Sequence, residues 1–160
     1  MGTPYPVVVD HVQALRERGS LLEHPLVVDA TGVGRPVVDM LKKQGVRRLV
    51  DITITGGDSV TSSGASYRVP KRDLVGLLQV LLQSGRLRFA AGLPLVDTLV
   101  RELLAFRVKI SADTAHDSYG AWREGSHDDL VLAVALAAWY AEKGQTGRVV
   151  WAMAPTAGRG

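Results

Sequence analysis

The chain has no cysteine among its 160 residues. That excludes a disulfide framework and a thiolate metal site, so any metal must be held by oxygen or imidazole, which favours hard cations. It also lacks an apolar run able to span a bilayer, since the longest nearly uncharged stretch, Leu130 to Ala141, falls well short of the roughly 18 residues required. No basic segment followed by an apolar one opens the sequence. These absences predict a soluble protein of the cytoplasm with no membrane partner. Charge is sparse as well: 22% of residues are charged and the formal net charge is +3, with a pI near 9.4. Such a mild basic excess suits a polyanionic partner but is common on soluble proteins and selects nothing alone. No internal repeat is visible.

What is present is enough for one core, because 46% of the residues are hydrophobic in a length typical of one domain. Val8, Val12 and Leu15 recur at helical spacing between Pro6 and Gly19, which predicts an amphipathic helix over 6–18. Pro25 to Asp29 is too short for a helix and runs into the turn residues 30–34, so it reads as a buried strand with Asp29 at its carboxyl end. Pro36 and Gly45 bracket a second helix, and Arg47 to Thr55 follows as a strand. Strand, helix and strand in that order predict a right-handed crossover and a parallel sheet, with ligands sought at the loop after Asp29.

Gly56 to Ser66 is rich in Gly and Ser and reads as a loop or hairpin. A helix is expected over 71–84 up to Gly85, a short strand at Leu87 and Phe89, and a helix carrying Leu95/Val96, Leu99/Val100 and Leu103/Leu104. Arg107 to Ile110 and Tyr119 to Trp122 suit the arms of a hairpin. Leu130 to Ala141 is apolar on every side, as expected of a helix buried against a sheet.

Chemistry is most plausible where carboxylates sit at the ends of buried elements, and Asp29, Asp128 and Asp129 do so. Cleavage of a phosphodiester is assisted by one or two Mg²⁺ or Mn²⁺ ions, about 4 Å apart when paired, held by clustered carboxylates. Each residue has an ordinary use too. Ser126 and Asp129 have the spacing of a capping box, with both acids favouring the helix dipole, and His127 between them is an outer partner or a solvated residue. Asp29 equally suits a strand-end turn. Lys71 and Arg72 open a helix, where backbone amides attract phosphate, so they are candidates for DNA-backbone contact, with Arg68 and Arg35 weaker ones; all four also suit solvated side chains. Gly32 and Gly34 resemble half of a nucleotide-binding loop but lack the third glycine of that fingerprint.

Four stretches, Val27-Val-Asp-Ala-Thr-Gly-Val-Gly-Arg-Pro-Val-Val-Asp39, Val69-Pro-Lys-Arg-Asp-Leu74, Gly85-Arg-Leu-Arg-Phe89 and His127-Asp-Asp-Leu-Val-Leu-Ala133, occur in order. In that order and approximate spacing they resemble the nuclease domain of phage terminase large subunits, over residues 3–142. The resemblance implies an RNase H-like α/β fold, a mixed sheet flanked by helices, that spans 1–145 and lacks its amino-terminal strands. A tail, 146–160, would follow, with an extra strand at 148–152. It also implies two Mg²⁺ or Mn²⁺ ions bound by three acidic positions and cutting of viral DNA during packaging in a bacterial host cell. Asp29 matches the second position and Asp128 or Asp129 the third; the family's first lies on a strand upstream of residue 1. Loss of that residue predicts weak activity, or a silent prophage remnant that keeps the fold and binds DNA. A sheet edge left open by truncation predicts a cover: residues 148–152, a second copy in a homodimer, or a polypeptide bearing the missing half.

Overall fold

Pro6 lies in the first turn of α1 (Tyr5–Arg16), where its missing amide has no helical partner to lose. The computed structural model describes residues 3–90, 92–105 and 128–144. After α1 and a 3-10 turn (Gly19–Glu23) come β1 (Leu26–Asp29), α2 (Gly34–Lys43), β2 (Leu49–Thr55), β3 (Thr61–Ser63) and β4 (Ser66–Pro70). Three helices complete it: α3 (Lys71–Gln83), α4 (Val96–Ala105) and α5 (Asp129–Gly144). The hairpin expected at 107–110 and 119–122, the cap residue Ser126 and the strand at 148–152 lie outside the described residues.

The strands form one mixed sheet in the order β1-β2-β4-β3. β1, β2 and β4 run parallel, with Val28 opposite Asp51 and Thr53 opposite Arg68, while β3 returns antiparallel to β4 across a tight turn at Gly64-Ala65. Gly64 has φ of +59°, the left-handed conformation such hairpin turns require. The fold is therefore α/β, with helices on both faces of the sheet.

Alternation along the strands divides the core in two. Val27, Val50, Ile52, Ile54, Tyr67 and Val69 face α3, α4 and α5. Leu26, Val28 and Leu49 face α1 and α2 through Val9, Val38 and Leu41. Side chains of a strand alternate faces, so Asp29 falls on the α5 side with Val27, and Asp51, Ser66 and Arg68 fall on the α2 side.

β1 is an edge strand. The amides of Leu26 and Ala30 donate to the carbonyls of Arg48 and Ile52, so the intervening peptide groups of Val27 and Asp29 turn outward. Among the described residues no strand pairs with that side.

One expectation needs correction. Leu87 and Phe89 form no strand: Gly85 turns left-handed at φ +66°, and the amides of Arg86 and Leu87 both donate to the carbonyl of Leu81. The chain is thus folded back on the end of α3, and the two apolar side chains pack on the core from an irregular segment. α5, expected to be apolar on every side and buried against the sheet, does bury Val131, Ala135, Leu136, Ala138 and Trp139 in the core, while Ala133 and Ala137 face solvent. Its exposed positions are Asp129 and Lys143 near the ends and the two alanines between them.

Candidate functional site

Parallel strands place their carboxyl ends on one edge, and here that edge carries Asp29, the 56–60 loop after β2 and Lys71 directly after β4. Asp128, immediately before α5, lies close enough to Lys71 for their charges to interact. Burial pushes the Lys71 ammonium down to about 8 despite the opposing pull of Asp128. The Asp128 carboxyl is pushed up from its ordinary value by burial, and further by the negative charges of Asp129 and Glu102, with Lys71 opposing. Charge at this corner is thus held against its own preference on both sides.

Glu102 of α4 was not singled out from the sequence. Its Oε2 accepts the amides of Leu130 at 2.9 Å and Val131 at 3.0 Å. A helix normally satisfies these second and third amides from its own N-cap side chain. Here α5 begins at Asp129, and a carboxylate from another helix takes these two amides; the expected capping box rests on Ser126, which lies outside the described residues. No local spacing in the sequence signals such a contact, because 28 residues separate the partners.

Asp29 takes its ordinary use. Its Oδ1 accepts the amide of Thr31 at 2.7 Å, and the Thr31 hydroxyl accepts the amide of Ile54 at 2.9 Å, continuing the ladder where β1 stops. The charges that bear on Asp128 are those of Lys71, Asp129 and Glu102; Asp29 is not in that group. Among the described residues, no three His, Asp or Glu side chains are assembled as a metal cage. The donors present suit Mg²⁺ or Mn²⁺ in kind, all being carboxylate oxygen, but fall short in number.

The glycines of the Asp29 loop serve the backbone. Gly32 has φ of +55°, and a Cβ at Gly34 would run into the carbonyl oxygen of Asp29. The amides of Gly34 and Arg35 donate to the carbonyls of Thr31 and Gly32. Amides that point back into their own turn do not form the phosphate cradle of a nucleotide loop.

The four basic candidates separate by partner. Arg35 pairs with Asp51 at 3.3 Å. Arg72 reaches across to Asp58, with its guanidinium 2.6 Å from the carboxylate and 2.8 Å from the carbonyl, so it braces the 56–60 loop against α3. Lys71 faces Asp128. Arg68 is exposed and, among the described residues, has no ion pair.

Asp51 is a second centre that the sequence reading passed over. It is 2% exposed at the middle of β2, with Lys42 at 2.9 Å, Arg35 at 3.3 Å and the Ser66 hydroxyl at 2.9 Å. Burial alone would raise its pKa; the Lys42 and Ser66 hydrogen bonds and the charges of Lys42 and Arg35 outweigh it and hold the carboxyl below its usual value. An Asp inside the apolar run Leu49-Val-Asp-Ile-Thr-Ile54 was the available signal, since a buried carboxylate demands partners.

Comparison with protein-family models, with curated proteins and with solved structures finds no significant match for this chain.

Proposed function

We propose that this chain is a metal-dependent DNA endonuclease domain of the phage terminase large-subunit type, RNase H-like in fold. The observation that carries the reading is the corner where Asp128 meets Lys71. A carboxylate whose charge is disfavoured by burial and by two like charges is relieved by any cation that joins it, and groups perturbed in this way cluster at functional sites. Asp29 ends a strand on the same sheet edge, and DNA is the partner that Arg68, Lys71, Arg72 and Arg35 would meet.

In this reading Asp29 and Asp128 hold divalent ions with Asp129 assisting, and Lys71 offers positive charge to a phosphate. When bound, such ions activate water and stabilise the leaving oxygen of a phosphodiester. Two well-placed carboxylates hold an ion weakly, so a further one must come from residues outside those described, from a second copy, or from a polypeptide that pairs with the open edge of β1. Weak activity that depends on Mn²⁺ concentration is the expected result in a plasmid-nicking assay. Asp128→Asn should abolish it, and nicking that persists unchanged in that variant counts against the reading.

The shortfall of donors favours one alternative, a silent remnant that retains the fold and binds DNA. It predicts a gel shift with DNA but no nicking at any Mn²⁺ concentration.

A further inference from the structure

β4 directs Arg68 to the face of the sheet shared with Asp51 and Ser66, one residue pair closer to the carboxyl edge. The helices on this face pack over β1 and β2, and beside them lies an open hollow of about 450 Å³ lined by Thr55, Gly56, Gly57, Ser59, Thr61 and Arg68. Its lining is three hydroxyls, two adjacent glycine peptide groups and one guanidinium, with no carboxylate among them.

The charge balance of the hollow is set by Arg72. The 56–60 loop carries one acid, Asp58, which would neutralise Arg68 if it turned inward. Instead Arg72 holds it at 2.6 Å on the α3 side. The nearest buried carboxylate on this face, Asp51, already has two cations. Among the described residues Arg68 is therefore left without an ion pair, beside three hydroxyls that can donate. Pairing of Thr61 with Arg68 across the hairpin places the two residues side by side on one wall.

We propose that this hollow is a phosphate-binding site, in which Arg68 forms the charged contact and the Thr55, Ser59 and Thr61 hydroxyls and the Gly56-Gly57 backbone complete the donor set. A guanidinium matches two phosphate oxygens at once, and glycines allow the loop backbone to approach closely. A free phosphate and a phosphodiester present the same oxygens. A nucleic-acid source rests on the nuclease reading; the site itself does not.

The test is a titration of isotopically labelled protein in EDTA, following the Gly56 and Gly57 amide resonances, with inorganic phosphate in one arm and a short unphosphorylated oligothymidylate in the other. Saturable shifts at those amides are expected with at least one probe. Arg68→Gln should weaken that binding about tenfold or more, whereas Arg101→Gln, on the far helix α4, leaves it intact. Shifts with the oligothymidylate identify a phosphodiester ligand, and shifts with inorganic phosphate alone identify a small phosphorylated one. The proposal is overturned if neither probe moves the two glycines, or if Arg68→Gln binds as tightly as the parent with an otherwise unchanged spectrum. Because no metal is present and no cleavage is read, failure here leaves the nuclease reading standing, and loss of nicking leaves this site standing.

Discussion

Asp51 and Asp128 carry the same charge and obey opposite rules. Asp51 is held below its ordinary pKa, so its contribution to stability is fully present above pH ~4 and is lost as pH falls through the lowered folded value. Asp51→Asn should cost about 2 kcal/mol in urea unfolding at pH 7, less than a wholly buried pair because Arg35 and Lys42 are half exposed. The variant should also lose part of the acid limb of the stability curve. Asp128 is held above its ordinary pKa, so it lowers stability as pH rises from ~4 through its folded value. Asp128→Asn should therefore leave the thermal midpoint at pH 7 unchanged or higher, while removing any rise induced by Mn²⁺. Lys71, pushed down to about 8 from 10.5, shares the sign of Asp51 in a different window: stability increases with pH between those two values, and the increase should vanish in Lys71→Gln. Asp128 was legible in the sequence because it stands at the mouth of an apolar helix. Asp51 was legible only as an acid inside an apolar run; its partners were not, because they come from a helix and a strand that only folding brings together.

Periodicity and punctuation at the level of elements told most of the story. Gly45, Gly64 and Gly85 each adopt positive φ where a helix end or turn requires it, and the strand, helix, strand unit around Asp29 forms the parallel pair expected of it. What failed was the assignment of short apolar pairs: Leu87 and Phe89 pack without a strand, since alternation over three residues cannot separate a strand from a folded-back helix end. At the start of α5 the amides of Leu130 and Val131 are taken by Glu102 from another helix, a contact that no local spacing signals. Glu102→Ala should cost about 1 kcal/mol by exposing two orphan amides, measurable as a lower urea midpoint with an unchanged slope. Gly34→Ala is the harsher change, because the new methyl group meets the Asp29 carbonyl, which is backbone and cannot turn aside. A loss of about 3 kcal/mol or failure to fold is expected, with β1 and α2 forced apart.

The whole molecule is an α/β sheet whose edge strand β1, like β3 at the other end, is paired on one side only among the described residues. Outward peptide groups on β1 invite a partner strand, and sedimentation should give a dimeric mass at micromolar concentration; a monomer would leave that edge to another cover. No described helix is long and apolar enough to cross a membrane. The carboxyl edge of the same sheet carries Asp29 and Lys71, with Asp128 beside Lys71, and the account depends on a divalent ion binding there. Diffraction from crystals soaked in Mn²⁺, collected for the anomalous signal of manganese, tests this directly. The account predicts a peak within coordination distance of the Asp128 carboxylate, with Asp29 contributing to the same ion or to one beside it; a map with full protein density and no manganese at that corner would contradict it.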